Sequence, residues 1–323
     1  MRLRLDALVA LLILGEMATA LYIGGIAQVA VLSGVAFVLF PELAALAYDV
    51  FRRPRGVWAN APLMLVATPV LTSIAGVAIE HGMPYGFPSV LLSVAIALLI
   101  IKALDSPVAP AISAGLLPVV LGEGSWWYPL SILFGTSLLA VSLLVYRKSL
   151  AGTIESIPEW LTSVEDDLVE QAPSQYAWLP FFVLFLVLGL MLVELTDWRF
   201  ILFPPLVVIG FEMFAHPEVC PWADRPIVLS MVCSLTAFAG LVMHLSLGGG
   251  PEAAILAVAI AMGICRVFRI YIPPAIAVSL LPFVIASPDF RFPLAVAGGT
   301  LLLAGTFLSY RYFSRNRIPA RQL

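Results

Sequence analysis

The sequence predicts an all-α, polytopic membrane helix bundle built from two parallel repeats of about six transmembrane segments, related by a pseudo-two-fold axis along the membrane normal. Three observations carry this reading. The chain is apolar with a single long polar break, it contains an internal repeat that keeps prolines and glycines in register, and its basic residues fall on one side. Of 323 residues, 61% are hydrophobic and 11% charged, with a mean hydropathy of +1.03. A soluble chain of this size could not bury so much apolar surface in one or two cores. Apolar runs recur from Leu5 to Tyr310, which makes the lipid bilayer the chain's first partner. No basic tract with interleaved aromatics is present, so nucleic acid is excluded as a partner.

The repeat is read by overlaying FPELAALAYDVFRRP (40–54) on FPPLVVIGFEMFAHP (203–217). Phe40, Pro41, Phe51 and Pro54 meet Phe203, Pro204, Phe214 and Pro217 at an offset of 163 positions, as from Pro54 to Pro217, and Asp49 meets Glu212. One inserted residue later the offset is 164. LTSIAG (71–76) then meets LTAFAG (235–240), Lys102 meets Arg266, Pro110 meets Pro274, and Leu116, Leu117 and Pro118 meet Leu280, Leu281 and Pro282. The frame continues through Gly135 and Thr136 on Gly299 and Thr300, to Tyr146 and Arg147 on Tyr310 and Arg311. Oily segments alike by chance would not hold these residues in register.

Three parts follow: a first membrane repeat (1–146), an acidic linker (147–176), and a second membrane repeat (177–323) with a basic C-terminal tail. The N-terminus begins like a signal peptide, but Glu16 interrupts it and no small-residue cleavage site ends it, so the expectation is a retained first helix. Segments are expected near 5–23, 26–50, 60–79, 86–104, 107–122 and 128–146. In the second repeat they are expected near 177–195, 200–215, 226–246, 252–268, 271–286 and 292–310. With every segment crossing and a cytoplasmic N-terminus, 15 of the 17 Lys and Arg fall inside, leaving Arg199 and Arg291 outside. That asymmetry follows the positive-inside rule. It predicts a multi-pass protein of the cell (inner) membrane with N-terminus, linker and C-terminus cytoplasmic. An even number of crossings per repeat makes the repeats parallel. Within the linker, Trp160, Leu161, Val164 and Leu168 have the spacing of a short amphipathic helix around Pro158–Glu170.

Prolines inside IYIPPAIAVSLLPFVI (270–285) and SPVAPAISAGLLPVV (106–120) raise the central question of the sequence. A proline in a helix interior costs about 3 kcal/mol, yet it suits a first turn. Pro110, Pro273 and Pro274 therefore read as starts of short helices pointing back into the membrane, ended or kinked by Pro118 and Pro282. Such breaks must face protein or a wet cavity. Helix starts at membrane depth attract anions, and Lys102, Arg266 and Arg269 precede them, with Ser106, Ser113 and Ser279 as hydroxyl donors. The other reading is tight connectors with cations snorkelling to headgroups.

At these residues the chain resembles the HPP (His-Pro-Pro) transmembrane family. The matching stretch is CRVFRIYIPPAIAVSLL (265–281). PPLVVIGFEMFAHPEVCPWADRP (204–226) resembles the family's apolar segment and connector, and FLSYRYFSR (307–315) its basic end. The first half follows more loosely through IIKALDSPVAPAISAGLL (100–117), as if one unit had been duplicated and fused. The histidine position is held by Ile272 and Val108, and Ala109 replaces the first proline. The resemblance implies a multi-pass fold and small-solute transport, nitrite in some members.

Other candidates divide into alternatives. Asp49 and Glu212 are either structural ion-pair partners or coupling carboxylates. Thr72, Gly76, Thr236 and Gly240 form small-residue faces that either pack helices or line a path. Glu16 is either buried against a partner or near the outer surface. Trp126, Trp127 and Tyr128 read as interfacial anchors. His81, His216 and His244 are too scattered for a metal site. Cys220, Cys233 and Cys265 read as buried free thiols. No catalytic motif or cofactor-binding loop is visible, so no enzyme and no cofactor is expected. The expectation is a transporter or channel-like permease for a small, nitrite-like anion, with homo-oligomerisation left open. The alternative is a non-transporting scaffold binding a partner through 147–176. Reporter fusions in the linker and at the C-terminus are expected to lie on the same membrane face; opposite faces would overturn the parallel repeat.

Overall fold

The computed structural model describes residues 2–156 and 176–315, with side chains from 8–155 and 176–314. The expected linker helix at Pro158–Glu170 and the end of the basic tail lie outside the described residues. Within them the chain is helical, without strands. The first half comprises α1 (Arg2–Ser33), a 3-10 turn (Ala36–Val38), α2 (Glu42–Arg52), the short α3 (Val57–Asn60), α4 (Pro62–Gly82), α5 (Phe87–Ala103), α6 (Ala111–Leu121), α7 (Trp127–Ser149) and α8 (Ala151–Ser156). The second comprises α9 (Leu179–Thr196), a 3-10 turn (Arg199–Leu202), α10 (Pro204–Ala215), α11 (Pro226–Leu247), α12 (Pro251–Phe268), α13 (Pro273–Val278), a 3-10 turn (Leu281–Phe283) and α14 (Arg291–Arg315).

Among the described residues, seven helices are long and apolar enough to cross a membrane: Leu8–Ser33 of α1, α4, α7, α9, α11, α12 and Arg291–Ser314 of α14. This is the build of a multi-pass membrane protein. α5, α6, and α13 with its 3-10 turn are shorter apolar helices. At 1.5 Å per residue, the 11 residues of α6 reach about 16 Å, roughly half of a hydrocarbon core.

Breaks are more numerous than the sequence reading expects. Residues 107–122 and 271–286 are short helices, and every residue of 108–120 and 272–284 is buried. Segments 26–50 and 200–215 are broken as well, which corrects the expected boundaries. α1 runs on to Ser33, Gly34 turns the chain at φ 69°, and the chain recoils through Ala36–Val38 before α2 begins behind Pro41. Asp197 makes the equivalent left-handed turn at φ 59°, ahead of Arg199–Leu202 and the Pro204–Pro205 start of α10. The cause is local: proline is favoured in a first turn and forces the residue before it out of the helical region.

Corresponding contacts recur in the two halves. α4 packs on α5, α6 and α7, and α11 packs on α12, α13 and α14. Across the halves, α13 packs on α2, α6 on α10, α12 on α1, and α9 on α5. Each short broken helix thus lies against the short second helix of the other half. Small residues make the closest approaches. A Cβ on Gly76 would fall 2.0 Å from the carbonyl oxygen of Gly115, and one on Gly240 would fall 2.0 Å from that of Ser279. The Gly135 position abuts Leu43 and the Gly299 position abuts Leu206. Thr72 and Thr236 are buried and donate back to their own helices, to the carbonyls of Thr68 and Pro69 and of Cys233 respectively. These four residues pack; their hydroxyls point at no open space.

Tyr128 departs from its expected surface role. Trp126 and Trp127 are exposed, but Tyr128 is fully buried and donates to the Ala114 carbonyl at 2.9 Å. It is the next position round the first turn of α7 and so faces α6. Gly76→Ala and Gly240→Ala are each expected to lower stability by roughly 1–3 kcal/mol or more, read as the thermal unfolding midpoint in detergent. Gly305→Ala on α14, with nothing within 4 Å, serves as the neutral control.

Candidate functional site

Charged residues gather where α2 and α12 end together. Asp49, Arg52 and Arg53 close α2, whose last turns are otherwise apolar and buried. Asp49 is fully buried; Arg53 donates to its Oδ1 from Nε at 2.8 Å and from its terminal nitrogen at 2.5 Å. Tyr271, from the loop between α12 and α13, donates to the same oxygen at 2.7 Å. A buried ion pair is maintained only when such extra bonds satisfy it. Here the third bond comes from the opposite half of the chain.

Beside this pair a cavity of about 340 Å³ is lined by Tyr48, Arg52, Cys265, Arg266, Arg269, Ile270 and Tyr271. Its volume lies at the lower end of the roughly 300–1,000 Å³ of ligand pockets. The Tyr48 and Tyr271 rings stack with centroids 5.3 Å apart, and the Arg52 guanidinium lies 5.2 Å from each. Arg52 also donates to the Tyr48 hydroxyl. Glu16 of α1 bridges the two halves, pairing with Arg266 at 2.5 Å and Arg52 at 3.6 Å. Glu16 is therefore half-buried against partners, at the arginine end. α1 is 32 residues, about 48 Å long, so residue 16 lies level with the end of α2. Arg269, with left-handed backbone at φ 50°, is exposed and makes no ion pair among the described residues. Three arginines against one bridging carboxylate leave this cavity electropositive, the Asp49–Arg53 pair being neutral.

The equivalent position in the other half lacks this chemistry. At the same offsets, Tyr48 becomes Phe211, Arg52 becomes Ala215, Arg269 becomes Asp105 and Tyr271 becomes Pro107. Asp105 keeps the left-handed turn at φ 47° without the cation. Lys102 is exposed and stands 4.9 Å from the Tyr176 ring. Ser106 accepts from Thr68 at 2.7 Å and from the Val108 N–H, tightening the connector. Ser279 donates to the Ile276 carbonyl at 2.7 Å. Pro110, Pro273 and Pro274 are buried at the starts of α6 and α13. Those starts offer no row of free donors, because Ala111, Ile112, Ser113 and Ala275 already bond to carbonyls three residues back. Tight turns consume them, and proline has no N–H to give. Glu212 is buried, as is Asp49.

A second cavity, about 320 Å³, lies at the opposite end. Asp197, Arg199, Ile285, Ser287, Asp289 and Arg291 are among its lining residues. Both cations left outside by the sequence topology thus meet at one opening, each with an aspartate beside it. Residues 270–287 run from one cavity to the other through the buried apolar stretch 272–284.

The sequence reading anticipated Arg266 and Arg269 but missed Tyr48, Arg52 and Tyr271, since only folding brings α2 against α12. Cys220, Cys233 and Cys265 are buried and outside any disulfide. No cluster of metal-ligating residues occurs among the described residues. Comparison with known proteins returned no matching family model, curated protein or solved structure. Asp49→Ala is expected to cost ~3 kcal/mol by removing the carboxylate from buried Arg53. Tyr271→Phe, which removes one bond, is expected to cost ~1–2 kcal/mol, both read from thermal unfolding of the detergent-solubilised protein.

Proposed function

We propose that the protein is an integral membrane permease for a small, nitrite-like anion, entering through the arginine cavity at the ends of α2 and α12. The observation that carries this reading is the placement of one broken segment, 270–287, between two cation-bearing cavities at opposite ends. Arg52, Arg266 and Arg269 draw an anion into a recess where low dielectric strengthens the attraction. Tyr48, whose oxygen accepts from Arg52, supplies a hydroxyl donor, while the Tyr271 hydroxyl is held by Asp49. The buried residues 272–284 keep the path closed between the cavities, so passage requires this segment to move against α2 and α11. A chain broken in the membrane interior and packed wholly in protein is the usual material of such a gate.

The two halves then act as parallel, pseudo-two-fold units about the membrane normal, with the arginine end cytoplasmic by the positive-inside rule. The likeness of 265–281 to the HPP motif supports the same class of function. The histidine position, however, is the buried apolar Ile272, so arginine takes the role of anion recognition here. Lys102 belongs to the surface instead of the path.

Purified protein in vesicles is expected to take up nitrite, nitrate, chloride or formate saturably. Arg52→Gln combined with Arg269→Gln is expected to lower uptake by about tenfold or more, a charged hydrogen bond being worth ~1.5–3 kcal/mol. Lys102→Ala is expected to change it little. No saturable uptake of any of these anions would overturn the assignment.

A further inference from the structure

Resting on the permease reading, we propose that Glu42 is a proton-binding site and that the protein carries one proton with each anion. Glu42 opens α2 and is 1% exposed, and its carboxyl group meets only its own backbone N–H and one side chain, the Ser113 hydroxyl. That hydroxyl, on α6, is fully buried and has no other partner among the described residues. Two polar groups from different helices thus meet in the interior, and no charged group completes the pair.

The surroundings supply no counter-charge. From α7, Tyr128 is the titratable neighbour, and its hydroxyl is committed to the Ala114 carbonyl. α13 (PPAIAV) and α3 (VWAN) carry no titratable side chain. From α1, Tyr22 donates to the Gly135 carbonyl and Glu16 is held by Arg52 and Arg266. Arg52 stands ten residues along α2, about 15 Å from Glu42. An ionised carboxylate is costly in such a place, whereas a carboxylic acid brings a donor of its own. Ser113 can both accept from that acid and donate to it.

α2 joins this site to the cavity. Glu42, Asp49 and Arg53 follow one stripe at i, i+7 and i+11, and Tyr48 and Arg52 line the arginine cavity. One short helix therefore holds the proton-binding carboxyl at its buried end and the anion-binding arginine at its open end. Release of the proton requires water or a donor to reach Glu42, which means a shift of α2 against α6. That shift is a two-state element that both ligands can bias. In the step, the carboxyl O–H bond breaks, the proton leaves to water on one side, and the carboxylate is reprotonated from the other. No redox change occurs, and anion plus proton cross without net charge.

Full-length protein in vesicles loaded with a fluorescent pH indicator tests this with nitrate and nitrite, protein-free vesicles giving the background. One-to-one coupling predicts about tenfold accumulation per unit of inward pH gradient, with the lumen acidifying as the anion enters. In Glu42→Gln the ratio of uptake with and without the gradient is expected to fall to unity, and acidification to cease. Ser113→Ala, which removes only the facing hydroxyl, is expected to shift the pH midpoint of uptake; an unmoved midpoint counts against the pair. Wild-type uptake that ignores the pH gradient, or follows a sodium gradient instead, overturns the proton site and leaves the permease standing. No wild-type uptake of any anion overturns the permease and the coupling together. Infrared spectra then decide proton binding alone: a carboxylic-acid carbonyl band lost in Glu42→Gln supports it, and absence of that band in the wild type refutes it.

Discussion

Backbone pressed against backbone at two glycines is the constraint from which the rest of the structure follows. At Gly76 and Gly240 a long helix approaches a short one so closely that even a methyl group would overlap a carbonyl oxygen. Because lipid offers no hydrogen bonds, a helix interrupted by proline survives only under protein cover, and this contact supplies the cover for α6 and α13. With both short helices held inward, their connectors are positioned too. Ser106 tightens one through Thr68, and Tyr271 at the head of the other reaches Asp49. Trp58 donates to the Pro107 carbonyl at 2.9 Å, and Arg147 and Arg311 fasten the ends of α7 and α14 to the Ala59 and Ala223 carbonyls.

Matching contacts in the two halves do not require matching chemistry. The glycine contacts, the left-handed turns and the arginine ties recur at matching offsets, since both halves face the same packing problem. The tyrosines and arginines of the cavity occur at one of the two matching positions. Electrostatic attraction in a recess depends on a few side chains, whereas packing involves every contact along a helix, so the two properties can differ between the halves.

Much was legible in the sequence. Composition demanded a membrane, and prolines inside apolar runs marked two of the broken segments. The other two breaks were signalled by Phe-Pro at 40–41 and 203–204, which were read as markers of the repeat and not as helix starts. Glu42 went unremarked because Pro205 stands at the matching place, so no duplicated carboxyl drew attention to it. Tyr128 looked like an anchor because it follows two tryptophans; rotation about α7 turned it inward.

The sequence by itself determined the solvent this chain lives in and two of the places where its helices must break, because hydropathy and proline act on neighbouring residues. Only the tertiary structure decided that Tyr48 stacks on Tyr271, that Glu16 bridges Arg52 and Arg266, and that Glu42 faces Ser113. Those residues stand up to 250 positions apart, and no local rule of spacing or propensity acts over that distance.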